Sequence, residues 1–145
     1  MEGVLIKEFE KTHGISVTPC EQITRYCTIG SNSLDTKKTE NCYRLIGRAD
    51  GEYNDVVIEC KCRRNGFRTF FFERIQLALY VLGYGKKSGR LVEFFEGKIK
   101  VYVMEKTEAE QIFNQFLPSP IGQHSNQPRL TVPWIFHRHY DNELG

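Results

Sequence analysis

The feature that most constrains the fold is a β-branched run directly after a turn. Residues 56–62 read Val-Val-Ile-Glu-Cys-Lys-Cys, and they follow the turn sequence Asp50-Gly51. A run of this kind after a turn is typical of a strand. Because residues two apart on a strand face the same side, Glu59 and Lys61 should point together, away from Ile58. The sequence therefore predicts a sheet that carries a carboxylate and an ammonium group side by side.

The rest of the pattern predicts helices around this strand. The segment 67–82 is densely apolar and is closed by Gly83 and Gly85, so it should be a helix that is buried on more than one face. The predicted fold class is α/β, a mixed α+β sheet flanked by helices. The other predicted elements are a helix over residues 1–13, strands over 15–18, 43–49, 90–95 and 98–105, and a helix from an N-cap at Thr107 to about Phe116.

Length and composition predict one folded domain. The chain has 145 residues, of which 40% are hydrophobic, which is enough for a single core. We expect this domain to occupy residues 1–117. Residues 118–145 hold four of the five prolines and should form a tail that wraps the domain or stays mobile.

The chain shows no membrane or export signal. It has no apolar run of about 18 residues, and its first residues do not read as a secretory leader. The five cysteines include no Cys-x-x-Cys pair, so we expect reduced thiols in an intracellular protein rather than a zinc module.

Positive charge is concentrated in the middle of the chain. The formal net charge is only +2, yet residues 61–100 carry ten Lys and Arg against three acids. A basic region beside acidic residues suits an enzyme that acts on nucleic acid, because acids hold metal and bases hold phosphates. A solvated surface with scattered lysines is the alternative interpretation.

Four residues on and before the central strand suit metal-assisted cleavage of a phosphodiester. Mg²⁺ prefers oxygen ligands, which the carboxylates of Asp50 and Glu59 and the backbone carbonyl of Cys60 can supply. Lys61 could orient water and offset charge in the transition state. Gln76 and Tyr80 lie four apart on the next predicted helix and share one face, where they could contact the metal site or a substrate phosphate.

These motifs, in their order along the chain, resemble the PD-(D/E)XK nuclease superfamily. The segments that carry the resemblance are Gly47-Arg48-Ala49-Asp50-Gly51, Glu59-Cys60-Lys61 and Gln76-x-x-x-Tyr80, preceded by Glu2 and Phe9-Glu10-Lys11. The detail is most similar to the lambda exonuclease branch, the YqaJ-like viral recombinases, with RecB-type nuclease domains next. Ala49 stands where the family usually has proline. The resemblance covers about residues 2–116.

The resemblance implies a fold, a metal and a set of roles. It implies a restriction-endonuclease-like αβββαβ core in which Asp50 and Glu59 bind Mg²⁺ or Mn²⁺. Lys61 would be catalytic, Glu2 would contribute to the metal site, and Gln76 would orient groups around it. The candidate nucleic-acid contacts are Arg63, Arg64, Arg68, Tyr80, Lys86 and Lys87.

The expected function is therefore a metal-dependent DNA nuclease. An exonuclease for end resection or processing in viral recombination or replication is the form that the resemblance implies. Duplex DNA ends would be the substrate, with a single-strand-annealing protein and further copies of the chain as possible partners. Two alternatives stay open: a structure-specific or single-strand endonuclease with the same site, and a catalytically inactive nucleic-acid-binding module on a nuclease fold.

Overall fold

A mixed four-stranded sheet forms the centre of the molecule. The computed structural model describes residues 2–28, 33–39 and 42–116. In this part of the chain, the elements are α1 (Glu2–His13), β1 (Ile23–Thr28), β2 (Cys42–Gly47), β3 (Gly51–Tyr53), β4 (Val56–Cys62), α2 (Phe71–Gly83), β5 (Ser88–Phe95), β6 (Lys98–Glu105) and α3 (Lys106–Phe116). Strands β3, β4, β5 and β6 form one sheet in that order, and β1 and β2 form a separate antiparallel pair.

Strand β4 lies between an antiparallel and a parallel neighbour. It pairs with the short β3 so that Gly51 lies opposite Ile58, and it pairs with β5 in parallel so that Lys61 lies opposite Glu93. Two parallel strands need a long crossover connection, which α2 provides. The predicted mixed sheet flanked by helices is confirmed.

The two faces of the sheet are covered by different helices. Val57 and Leu91 belong to the apolar cluster that includes the buried residues of α2 and α3. On the other face, Phe9 of α1 clusters with Ile58 and Val92. Odd-numbered and even-numbered residues of β4 therefore face opposite helical layers, as the alternation of the sequence predicts.

Helix α2 approaches β5 closely at a glycine. A Cβ atom added at Gly89 would lie 2.7 Å from Val81 Cγ2 and 2.9 Å from Leu77 Cδ1. Gly89 and both helix residues are buried, so a side chain at this position would displace the helix from the sheet.

Helix α2 begins later than the sequence predicts. It starts at Phe71 rather than at Phe67, because buried carboxylates accept the backbone N–H groups of the preceding loop. Glu93 Oε1 accepts from the Arg68 N–H at 3.2 Å, and Glu73 Oε1 accepts from the Phe70 N–H at 3.1 Å. These bonds keep residues 64–70 outside the helix.

Other boundaries also differ from the prediction. The expected strand over residues 15–18 is reduced to one bridge, in which Thr18 and Glu52 exchange both backbone hydrogen bonds. Strand β1 was not predicted. Helix α3 begins at Lys106, so Thr107 lies inside it and is not its N-cap. The predicted tail over 118–145 lies outside the described residues.

The lengths of the helices and the state of the cysteines bear on the expectations about membrane spans and disulfides. None of the helices in the described part of the chain is both long enough and apolar enough to cross a membrane. All five cysteines lie among the described residues, and none of them is in a disulfide.

Candidate active site

Asp50 is held against β4 by both its backbone and its side chain. Its N–H points to Ile58 O at 3.1 Å and to Glu59 Oε1 at 3.0 Å, and its Oδ2 accepts a 2.6 Å hydrogen bond from the Cys60 N–H. A hydrogen bond from a backbone N–H fixes the orientation of a carboxylate. The turn and the strand therefore bring Asp50 and Glu59 together, as predicted.

Lys61 completes a charged pair beside this contact. Its Nζ lies 3.6 Å from Glu59 Oε2, and the two side chains are 16% and 7% exposed, respectively. A carboxylate buried this deeply needs a cation or hydrogen-bond donors to offset the loss of hydration. Glu59 has both, since Lys61 contacts one of its oxygens and the Asp50 N–H contacts the other.

The carbonyl of Cys60 faces the same edge as Asp50. In a strand, the N–H and C=O of one residue point to the same side, and the Cys60 N–H donates to Asp50. The ladder between β3 and β4 ends at the pair Gly51–Ile58, so Cys60 lies just past it. Two carboxylates and one carbonyl oxygen therefore converge at this end of β4.

Tyr80 and Gln76 lie beneath the turn rather than on the surface. They are 4% and 5% exposed. The Tyr80 hydroxyl donates to Arg48 O at 3.3 Å, and Gln76 Nε2 lies 3.5 Å from that hydroxyl. Burial, followed by the nearby charge of Glu59, raises the pKa of Tyr80, so the hydroxyl stays neutral. Tyr80 thus positions the turn, and its burial argues against the predicted contact with nucleic acid.

Tyr84 also positions the turn and was missed by sequence reasoning. Its hydroxyl accepts from the Ala49 N–H at 3.1 Å and donates to Glu21 O. Burial raises its pKa to about 12, although the bond from Ala49 acts in the opposite direction. Tyr84 lies one helical turn after Tyr80, and this spacing was the available signal.

Arg63 is used inside the protein. Its guanidinium donates two hydrogen bonds to Glu73, at 2.7 and 2.9 Å, and two to Glu93 Oε1, at 2.6 and 3.1 Å. The side chain is only 10% exposed. This guanidinium is committed to two buried carboxylates, which argues against the predicted phosphate contact at Arg63.

The same network sets the charge of Glu73. Burial raises its pKa, but the hydrogen bonds and charge of Arg63, with smaller contributions from the Phe70 N–H and the charge of Lys61, outweigh burial. The net result is a pKa below the ordinary 4.5. Glu73 and Glu93 were absent from the predicted site.

The remaining candidate contacts differ in their exposure. Arg64 and Arg68 are exposed. Lys87 is 84% exposed and lies 4.0 Å from Asp55. The Lys86 side chain is only 15% exposed and pairs with Glu52 at 3.4 Å, which leaves it poorly placed for phosphate. Glu2 begins α1, but its side chain lies outside the described residues.

The oxygen atoms at the end of β4 are of the type that a hard divalent cation prefers. Among the described residues, no group of three or more His, Cys, Asp and Glu side chains is arranged to hold a metal ion. Asp50 and Glu59 instead provide two carboxylates, and the third oxygen is the backbone carbonyl of Cys60. Mg²⁺ is commonly held by one or two carboxylates together with waters, so this set suits it.

Cys20, which contacts Glu52, does not supply a reactive thiolate. Cys20 lies 3.6 Å from Glu52 Oε2. Burial, together with the charge of Glu52, raises its pKa to about 12, so the thiol stays protonated at neutral pH.

Comparison with known proteins shows a fold but no family. No family model matches the chain, and no curated protein matches it. A crystal structure of the protein called SSO0001 matches with a TM-score of 0.54 at 19% sequence identity, over 88% of this chain. The chain spans 58% of the length of that chain. At this identity the likeness concerns the fold alone.

Proposed function

We propose that this protein is a metal-dependent DNA nuclease. The observation that carries the proposal is the set of contacts in which Asp50 bonds to Glu59 and to the Cys60 N–H, with Lys61 beside Glu59. Two carboxylates, a carbonyl and an ammonium group at one strand end suit phosphodiester hydrolysis. The sequence resemblance to PD-(D/E)XK nucleases supports the same assignment.

Each residue of this set has a role that its environment supports. Asp50, Glu59 and the Cys60 carbonyl would hold Mg²⁺ or Mn²⁺, to which Glu2 would add a ligand. When bound, the metal supplies positive charge at the scissile phosphate and favours ionisation of the attacking water. Lys61 places a second positive charge next to the carboxylates, where it orients water and stabilises the charge that develops on the phosphate. Tyr80 and Tyr84 hold the turn that carries Asp50, and Gln76 contacts the Tyr80 hydroxyl.

Cleavage by a Lys61 variant tests the proposal. We expect Lys61→Ala to cut linear duplex DNA at least about a hundredfold more slowly in Mg²⁺, because it removes a cation aimed at the reacting phosphate. Lys98→Ala, which removes an exposed lysine of β6, is the matched control and should cut at the normal rate. Undiminished cleavage by Lys61→Ala would falsify the assignment.

The resemblance supports one form of this activity, exonuclease action on DNA ends, as used in viral recombination or replication. Circular single-stranded DNA separates it from endonuclease action, since circles offer no end. Persistence of circles under conditions that digest the linear form is the expected result. Linearisation of the circles would assign the site to an endonuclease.

A further inference from the structure

An aromatic surface begins immediately after the candidate catalytic strand. Phe71 and Phe72 open α2, and they are 51% and 37% exposed. Large apolar side chains that stay exposed next to one another mark interaction sites more often than isolated ones do. We call the group formed by Arg64, Arg68, Phe70, Phe71 and Phe72 the stacking surface.

The stacking surface is held in a defined shape. The rings of Phe70 and Phe72 stack with centroids 5.4 Å apart and an interplanar angle of 18°. The guanidinium of Arg68 lies 4.8 Å from the Phe70 centroid, a cation–π arrangement. The buried carboxylate of Glu93 accepts the Arg68 N–H, so the loop is held to the sheet. Because the loop is already ordered, little conformational freedom is lost when a ligand binds.

The charge of this surface is positive on its outer side. Residues 60–72 contain no acid, and Arg64 and Arg68 are exposed. Two acids that accept backbone N–H groups from this segment, Glu73 and Glu93, are 5% and 1% exposed and are bound by Arg63. A ligand that approaches from solvent therefore meets two cations and two aromatic rings.

The stacking surface adjoins the candidate active site. Lys61 and Arg63 lie on the same strand end, and Arg63 binds Glu73 in the first turn of α2. The positive charge of Lys61 also contributes to the lowered pKa of Glu73. The first turn of α2, which carries the rings, is thus tied to the end of the strand that carries Glu59 and Lys61.

We propose that the stacking surface binds single-stranded nucleic acid, with unpaired bases on Phe71 and Phe72 and phosphates on Arg64 and Arg68. Aromatic rings interleaved with arginines form such sites because every base has a π-face and every linkage carries a charge. Bases of an intact duplex are stacked on each other and cannot use the rings. The use of this surface by the enzyme rests on the proposed function, which it deepens by making the substrate an unpaired strand or a frayed end.

Binding measured without metal tests the proposal separately from catalysis. The probes are fluorescent oligothymidine and oligouridine of about 12 nucleotides, within the range that one such domain covers, and a blunt duplex of the same length, all with a chelator present. We expect Phe71→Ala to weaken single-strand binding by about tenfold, equivalent to ~1.4 kcal/mol. Duplex binding should change much less. Equal losses on single strand and duplex would overturn the stacking role.

Two further variants at the same position control for loss of apolar area. Phe71→Leu keeps an apolar side chain but removes the ring and should bind as weakly as Phe71→Ala, whereas Phe71→Trp should bind at least as well as the natural protein. Normal binding by Phe71→Leu would show that stacking is not involved. The oligothymidine and oligouridine arms show whether DNA or RNA is preferred, and the expected loss applies to both.

The arginines are tested by salt dependence. Each phosphate contact to a single strand contributes about 0.7 to the slope of log K against log salt. The double variant Arg64→Ala/Arg68→Ala should lower that slope by about 1.4, whereas Lys98→Ala/Lys100→Ala on β6 should leave it unchanged. An unchanged slope in the first variant would exclude phosphate contacts here.

A protein-docking role for the stacking surface gives a different set of results. In that case Phe71→Ala/Phe72→Ala would leave oligonucleotide binding intact and alter self-association in analytical ultracentrifugation, which would overturn the proposal. Binding by the natural protein together with a lack of cleavage in Mg²⁺ would overturn the proposed function while leaving this inference standing. Normal cleavage together with normal oligonucleotide binding by the Phe71 variants would overturn this inference and leave the proposed function standing.

Discussion

At the scale of single residues, Glu59 has partners of two kinds. One of its oxygens accepts a backbone N–H from the turn, and the other faces an ammonium group. A variant that removes Lys61 therefore leaves a buried carboxylate with less compensation. For this reason, cleavage by Lys61→Ala should be compared at a temperature well below its own unfolding transition.

Tyr84 gives a residue-scale prediction about the turn. Tyr84→Phe removes the acceptor of the Ala49 N–H and the donor to Glu21 O, so the free energy of unfolding should fall by about 1–3 kcal/mol. Urea denaturation measures this. Tyr53→Phe on the α1 side of the sheet is the control and should cost less. Equal losses in both variants would contradict the role assigned to Tyr84.

Glu73 gives a prediction about acid stability. Its pKa is lower in the folded protein than the ordinary 4.5, so its ionised form contributes stability above about pH 4.5. That contribution is lost as the pH falls through the folded pKa. The unfolding free energy of the natural protein should therefore decline on acidification below pH 4.5. Glu73→Gln should decline less steeply over that range, and an identical decline in both proteins would show that Glu73 is not linked to folding.

At the scale of elements, the packing of α2 on β5 depends on a glycine, Gly89, which has no side chain. Gly89→Ala would place a methyl group within 3.0 Å of Val81 and Leu77. Overpacking of this kind costs about 1–3 kcal/mol, which thermal or urea unfolding would detect. Gly3→Ala in α1 meets open space and should not destabilise the protein. A stable Gly89→Ala variant would mean that α2 can shift on the sheet without cost.

The elements that were predicted well are those whose pattern is local. β4 and β6 match their predicted ranges because alternation and turn signals bound them. The start of α2 was wrong because the apolar run from Phe67 suggests a helix, while Glu93, which lies on another strand, binds the loop. Strand β1 is half-exposed along most of its length, so it has little of the alternation that would have predicted it.

The candidate site shows the same division. The proximity of Asp50, Glu59 and Lys61 was predicted because strand spacing and a turn determine their positions. The burial of Arg63 was not predicted, because it depends on Glu93, which becomes a neighbour only through the parallel pairing of β4 with β5, and on Glu73 in the first turn of α2. Long-range ion pairs of this kind leave no periodic signal in a sequence.

At the scale of the whole molecule, the proposed ligand oxygens come together only when the sheet is formed. Asp50 belongs to the turn before β3, and Glu59 belongs to β4. A cation that binds the folded state alone stabilises it by about 2.7 kcal/mol at 100 times its Kd. Mn²⁺ at that level should raise the Tm by several degrees, as measured by scanning calorimetry.

The control for this shift is a change at the ligands themselves. Asp50→Asn should remove most of the Mn²⁺ effect, whereas Lys100→Ala on β6 should retain it. A shift of equal size in Asp50→Asn would place the cation elsewhere in the protein.

The network of Arg63, Glu73 and Glu93 joins β4, α2 and β5 through one guanidinium. Loss of Arg63 alone would leave two buried carboxylates without their cation. Loss of one carboxylate would leave the buried guanidinium charge less well neutralised. Replacement of all three by apolar residues of similar size can instead be close to neutral. Sequences that share this fold should therefore covary at these three positions, with both acids retained where the arginine is present and lost where it is absent.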